Sequence, residues 1–261
     1  MKAIRLWTKA VRPYAYSASL VPVAIGGLHA RFSTGEFSGV RLGVSLAAGL
    51  LLHTAANLWN DYFDFINGVD RQGGGIGSGV LVAGEMTPKR CFRGASICAA
   101  LAAGAGLWLA TQVGWGILVL GALGLLGALF YSAGSFSPKH RALGEVWLFL
   151  LMGVGLTLGG HWAQTGRFSW GAVAAGMPAA LLMTLILYAN NLRDIRSDRD
   201  AGLRTLPMLF KPTEAKLVAG LILAASYLMT ALMAATRRLP MPTLGALLTL
   251  PLAFRWYRSA W

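Results

Sequence analysis

Every aspartate in this chain falls in one of two short clusters, which together hold six of its ten acidic residues. The first reads Asn57-Leu58-Trp59-Asn60-Asp61-Tyr62-Phe63-Asp64 and continues to Gly68 and Asp70. On a helix Asn57, Asn60, Asp61 and Asp64 stand at i, i+3, i+4 and i+7, so two amides and two carboxylates share one face. The second runs from Asn190-Asn191 through Arg193-Asp194 to Asp198-Arg199-Asp200, with Asn190, Asp194 and Asp198 repeating every four residues. Carboxylates packed this densely at the ends of apolar helices repel one another and resist desolvation, so a counter-charge is required. One reading is ion pairing with the interleaved Arg residues at a wet helix end. The other is a hard cation: oxygen-only sets without His or Cys suit Mg²⁺, which keeps waters and shares its shell with substrate phosphates, and they argue against zinc. Two clusters of the same make favour the cation, and the basic residues between them can give charge-assisted hydrogen bonds to diphosphate oxygens.

Other polar stretches are less specific. Residues 71–79 are rich in glycine and could bring backbone N–H groups against an anion, but they lack the lysine-ended phosphate-loop pattern. Lys139 and Arg141 follow Tyr131-Ser132-Ala133-Gly134 on the side of the Asp clusters, where they either reach the same anion or anchor the chain. Glu145 is expected to cap a helix start, with a substrate hydroxyl as its other possible partner. His53, one turn before Asn57, is assigned to packing, and His29 and His161 to the far side without a chemical role. Thr87-Pro88 reads as an N-cap followed by the first helical position.

The elements that position these residues are membrane spans. The chain has 261 residues, of which 56% are hydrophobic and only 13% charged, with a mean hydropathy of +0.57; a soluble domain carries about a quarter charged residues. A net charge of +13 therefore points to a lipid headgroup surface and not to nucleic acid. Cys91 and Cys98 form neither a disulfide framework nor a CxxC pair. Apolar runs long enough for spans of about 20 residues lie near 14–30, 39–60, 94–111, 113–133, 142–160, 168–190, 216–236 and 239–257. They predict an all-α, multi-pass transmembrane bundle of eight helices over a single domain, 1–261. Short connections make consecutive helices antiparallel neighbours, whereas 61–93 and 191–215 are long, polar and functional in character. A cytoplasmic N-terminus puts 18 of the 23 Lys and Arg residues on that side and 5 on the other, and so fixes the orientation with both Asp motifs cytoplasmic. The basic start followed by an apolar run also resembles a secretory signal, but Pro13, Pro22 and the absence of a clear cleavage site argue against removal.

At these motifs the sequence resembles the UbiA superfamily of intramembrane prenyltransferases, and within it the 1,4-dihydroxy-2-naphthoate polyprenyltransferases of menaquinone synthesis. The likeness rests on N-L-x-N-D-Y-x-D-x-x-x-G-x-D from Asn57 to Asp70, on Y-[ST]-x-G and L-G-E between Tyr131 and Glu145, on N-N-x-R-D-x-x-x-D-x-x-A-G-x-R-T-L from Asn190 to Leu206, and on Gln164-Thr165-Gly166. It implies a helical bundle whose central cavity opens to lipid and binds a polyprenyl diphosphate, with two Mg²⁺ ions between the motifs. Under that resemblance Asn60, Asp61, Asp64, Asp70, Asn190, Asp194 and Asp198 hold metal, with Asp61, Asp64, Asp194 and Asp198 central to catalysis. Arg71, Lys139, Arg193 and Arg204 bind diphosphate, while Asn57, Tyr131 and Asn191 orient an aromatic acceptor. A bacterial inner membrane is the expected location. Gly68 departs from the acid of the broad superfamily, with Asp70 two residues later as in the naphthoate branch. Leu203 stands where that branch has Lys, Ser135 replaces a Pro, and the chain is one helix short of the usual nine.

Three other readings compete. A related enzyme could use 4-hydroxybenzoate, a tetrapyrrole or a glycerol lipid as acceptor. A phosphatidyl-group transferase would need D-G-x-x-A-R, which is absent. A cation-coupled transporter would carry its acids near span centres, whereas here they gather at the ends.

Overall fold

The computed structural model describes residues 2–70, 77–134 and 137–259, and all regular structure among them is helical. An amphipathic helix α1 (Lys2–Val11) leads into α2 (Ser17–Thr34), α3 (Gly39–Ile66), α4 (Pro88–Val113) and α5 (Gly116–Phe130). A broken span follows, with α6 (Gly144–Leu148), a π-helical segment (Phe149–Gly155) and α7 (Leu156–Thr165). Next come α8 (Trp170–Arg193), the short α9 (Ile195–Asp200), α10 (Pro212–Ala235) and, after a tight helical stretch at Met241–Thr249, α11 (Leu250–Ser259).

Five helices are long and apolar enough to cross a membrane: α3, α4, the broken span Gly144–Thr165, α8 and α10. The other three predicted spans are helical but fall short. The stretch 14–30 begins in the turn Pro13–Ala15, and α2 is diluted by Ser17, Ser19, His29 and Arg31. The span at 113–133 is a helix of 15 residues. Residues 239–257 begin as a tight helix, because Pro240 and Pro242 lack the N–H groups an α-helix would use.

Helix starts follow local chemistry. Thr87 caps α4 by accepting from the Arg90 N–H with Pro88 first in the helix, as the sequence predicts, and Ser38 and Ser169 cap α3 and α8 in the same manner. Packing relies on glycine where helices cross. A side chain on Gly26 of α2 would overlap the Thr157 carbonyl, and one on Gly160 of α7 would overlap that of Val23, so the two helices touch backbone to backbone. His29 and His161 meet at this crossing, with Nδ1 atoms 3.4 Å apart. In the half that holds the first Asp motif, Leu58, Trp59, Val80, Cys91 and Ala95 form a buried cluster onto which Leu6, Trp7 and Ala10 dock α1.

Candidate functional site

The helices enclose a large cavity of about 930 Å³ with a polar end and an apolar length. Along α3 it runs from Ser45 to Asp64, a rise of about 28 Å at 1.5 Å per residue. Leu109, Ile117 and Leu158 line the apolar end. The π-helical segment supplies Leu150 and Leu151 to its wall, with Leu151 seated against the bare backbone of Gly127. π-Helical turns recur at functional sites, and here the extra residue widens the helix beside the cavity. At the polar end the lining includes Asn60, Asp64 and Asp70 from the first motif, Asn190, Asp194 and Asp198 from the second, and the cations Arg12, Lys139 and Arg193. The expected acceptor residues Asn57, Tyr131 and Asn191 line it as well.

The first motif is the more buried. Asp64 is 1% exposed; its Oδ2 accepts from Lys139 Nζ at 2.5 Å, while its Oδ1 has no hydrogen-bond partner among the described residues. Lys139 arrives because the loop that carries it is tied by the Ala142 N–H to the Arg204 carbonyl, at 2.6 Å, beyond the second motif. Asp61, 2% exposed, accepts from Arg12 and from the Ser78 hydroxyl. Those partners cover it, and Asp61 does not line the cavity. Gly77 lies between these groups: a Cβ there would come within 2.6 Å of Asp70 Oδ2 and 2.8 Å of Asp61 Oδ1. Asn60 donates to Ser132 Oγ at 2.6 Å and Asn57 to the Val11 carbonyl at 3.1 Å, which ties both amides to neighbouring elements.

In the second motif Arg193 holds Asp194 through two hydrogen bonds of 2.7 and 2.8 Å. That contact belongs to the ion-pairing reading, as do Arg12 with Asp61 and Lys139 with Asp64. The pairing is incomplete, however. Burial, followed by repulsion from Asp64, raises the Asp70 carboxyl to about 6. Burial, followed by repulsion from Asp194, does the same to Asp198, again to about 6.

The donor set fits a divalent cation of the hard class. Among the described residues no three Asp, Glu, His or Cys side chains converge closely enough to hold one alone. The unpartnered Asp64 oxygen and the carboxylates of Asp70, Asp194 and Asp198 face one space, and Mg²⁺ completes its shell with waters and substrate phosphate oxygens.

Several residues fall differently from expectation. Arg204 offers its backbone carbonyl to Ala142 but does not line the cavity, and Arg71 and Ser135 lie outside the described residues. Glu145 lies in the first turn of α6, at the helix start where it is expected, and its side chain also accepts from Asn191 Nδ2 at 2.8 Å. His53 bonds Ser19 Oγ at 3.0 Å, consistent with packing, although it also borders the cavity. Arg12, one of the basic residues ahead of the first apolar run, also reaches this site. Its backbone is left-handed at φ 55°, uncommon for a residue with a side chain, and this turn delivers the guanidinium from the end of α1 to the polar end of the cavity. The only sequence signal is its place directly before Pro13.

A family model described as the UbiA prenyltransferase family matches residues 19–261. UbiA prenyltransferase domain-containing protein 1 of Danio rerio is 32% identical over 252 residues, which cover 94% of this chain and 72% of that protein. The 1,4-dihydroxy-2-naphthoate octaprenyltransferase of Bacillus subtilis (strain 168) is 30% identical over 208 residues, 78% of this chain and 65% of its own length. In fold, a UbiA homolog from Archaeoglobus fulgidus solved bound to GPP and Mg²⁺ matches with a TM-score of 0.69 at 18% identity, over 97% of this chain and 84% of that one. Since the family match runs through both aspartate motifs and the long helices around the cavity between them, this chain belongs to the UbiA prenyltransferase family and is an integral membrane prenyltransferase.

Proposed function

We propose that this enzyme transfers a polyprenyl group from polyprenyl diphosphate to the ring of 1,4-dihydroxy-2-naphthoate, with loss of CO₂, as a Mg²⁺-dependent step of menaquinone biosynthesis. The observation that carries the reading is the cavity that joins a long apolar chamber to an end lined by carboxylates and cations. A prenyl diphosphate has the same division, an apolar tail and an anionic head. The names of two similar proteins support it: one was solved with GPP and Mg²⁺, and one is a 1,4-dihydroxy-2-naphthoate octaprenyltransferase. The orientation that follows from the basic residues puts the N-terminus and both motifs in the cytoplasm of a bacterial cell, with the enzyme in its inner membrane.

In this reading Asn60, Asp64 and Asp70 from one motif and Asn190, Asp194 and Asp198 from the other hold up to two Mg²⁺ ions, with Asp61 supporting them from behind its Arg12 contact. When bound, Mg²⁺ supplies electrostatic neutralisation of the leaving diphosphate. Lys139, Arg12 and Arg193 donate to the diphosphate oxygens as the bond from C1 of the prenyl chain to oxygen breaks and its electron pair leaves with the diphosphate. Arg71 and Arg204 are assigned to the same anion from the sequence alone. Leu150, Leu151 and the other apolar wall residues keep water from the allylic cation. Asn57, Tyr131 and Asn191 orient the acceptor so that the ring carbon bearing the carboxylate forms the new bond to C1; the carboxylate then leaves as CO₂, and the electron pair of its broken C–C bond restores the aromatic ring.

The test is product formation from labelled geranylgeranyl diphosphate by membranes containing the full chain, with 1,4-dihydroxy-2-naphthoate, 4-hydroxybenzoate or a glycerol phosphate as acceptor, and with Mg²⁺ or chelator. A chelator-sensitive naphthoate product, reduced by about a hundredfold in Asp64→Ala and in Asp194→Ala, supports the reading. A product only with another acceptor would discard the naphthoate assignment, and full activity in both variants would discard the site.

A further inference from the structure

Glu145 is among the largest wholly buried side chains in the protein, at 1% exposure, and the chemistry above does not use it. An intramembrane carboxylate is expensive to bury and is retained where it has a specific partner. Its side-chain partner is Asn191, one of the acceptor-side residues, whose Nδ2 donates to Glu145 Oε1 at 2.8 Å across the contact of α6 with α8. We propose that Glu145 is a positioning residue for the acceptor: it fixes the amide of Asn191 so that the carbonyl oxygen Oδ1 is offered to a hydroxyl group of the aromatic substrate. This rests on the function proposed above.

Polarity decides which end of the amide is offered. An Asn side chain can rotate by half a turn and exchange its donor and acceptor ends at little cost unless a partner discriminates between them. Glu145 Oε1 accepts from the NH₂ group and so leaves Oδ1 as the free end of the amide, in a residue that lines the cavity. Asn57, on α3, is held with the same polarity, its Nδ2 bonded to the backbone carbonyl of Val11. Both amides are anchored through nitrogen and both residues line the cavity, an arrangement that suits a ligand donating through O–H groups and disfavours one that has only carbonyl or ether oxygens. Gly144, the neighbour of Glu145, completes the arrangement. A Cβ at this position would stand 3.3 Å from the Tyr131 hydroxyl and 3.7 Å from Lys139 Cα, so the bare backbone lets Tyr131 lie against the same corner. One turn of chain, Gly144-Glu145, thus braces Tyr131 from one side and Asn191 from the other.

The experiment measures the KM for 1,4-dihydroxy-2-naphthoate and, separately, for geranylgeranyl diphosphate, using the full chain in lipid nanodiscs as wild type, Glu145→Gln, Asn191→Ala and the double variant. The glutamine side chain keeps the shape but can donate as well as accept, so the orientation of Asn191 is no longer enforced. The expected result for Glu145→Gln is a rise of about tenfold in acceptor KM with the diphosphate KM within about twofold. In the Asn191→Ala background the same substitution should change acceptor KM by less than about twofold, since Glu145 acts through Asn191. If Glu145→Gln fails to accumulate, Glu145→Asp withdraws the carboxylate from Asn191 and is read against the same expectations. Equal rises in both KM values, or full additivity of the two substitutions, would overturn the proposal while the wild type remains an active prenyltransferase. A wild type that prenylates no hydroxylated aromatic would sink the functional reading and this proposal with it.

Discussion

Replacing Lys139 with Met should unsettle the metal-free enzyme more than its magnesium-loaded form. The Lys139 ammonium lies 2.5 Å from Asp64 Oδ2, with side chains 22% and 2% exposed. At that distance and an effective dielectric constant of about 20 the attraction is about 6–7 kcal/mol before desolvation is charged against it. Removing one partner of a buried pair typically costs about 3–5 kcal/mol, because the other charge is stranded, and the partial exposure of Lys139 points to the lower end, about 3 kcal/mol. For a chain of this length that corresponds to a drop of about 6–12 °C in midpoint temperature. The second oxygen of Asp64 has no other partner among the described residues to compensate. If this carboxylate belongs to a cation site, Mg²⁺ with inorganic diphosphate should restore most of the loss, since a ligand that binds only the folded state stabilises it by mass action. The assay is a thermal melt of purified wild type and Lys139→Met with chelator and with Mg²⁺ and diphosphate. Equal melting of the two proteins in chelator would refute the energetic weight given to the pair. A deficit that Mg²⁺ and diphosphate leave untouched would refute the assignment of Asp64 to the cation.

Acidity and helix packing offer two more tests. Burial and neighbouring carboxylates raise Asp70 and Asp198 from the ordinary 3.8 to about 6, so between these values the folded protein keeps protons that the unfolded chain has lost. Metal-free stability should therefore fall as pH rises through that window, while Mg²⁺ binding, which needs both groups ionised, should strengthen; Mg²⁺ titrations followed by melting at about pH 5, 6 and 7 check both signs, and a flat affinity would contradict them. Gly26→Ala would drive a methyl group into the Thr157 carbonyl at the crossing of α2 and α7, a rigid backbone contact, so a loss of about 1–3 kcal/mol is expected; a melt indistinguishable from wild type would show that the two helices can part without cost.

How far the sequence disclosed this site depends on the range of the interaction that forms it. Thr87 and Pro88 were legible because a helix cap is decided within four residues, and the Asp motifs because carboxylates at the ends of apolar helices demand a partner wherever they occur. Periodicity places Asn57, Asn60, Asp61 and Asp64 on one face, but it cannot say which neighbour covers part of that face. Arg12, 49 positions away, covers Asp61 and removes it from the cavity wall. The same limit applies to Glu145, whose partner lies 46 positions further on. The spans at 14–30 and 239–257 were read from hydropathy, which does not register that Pro13, Pro240 and Pro242 remove the hydrogen bonds of a continuous helix. The π-helical turn at Phe149–Gly155 leaves no mark in hydropathy at all, for its residues are apolar in either helical form. At the polar end of the cavity, what escaped the sequence is of one kind. Arg12 on Asp61, Lys139 on Asp64 and Glu145 on Asn191 each join a helix to a segment from elsewhere in the chain. Asp61, Asp64 and Glu145 are each at most 2% exposed, and a buried polar contact specifies how its two segments meet as well as what charge they present. The residues that set the chemistry of the cavity are on this account also those that hold its polar end together, and substitutions there should move affinity and stability jointly.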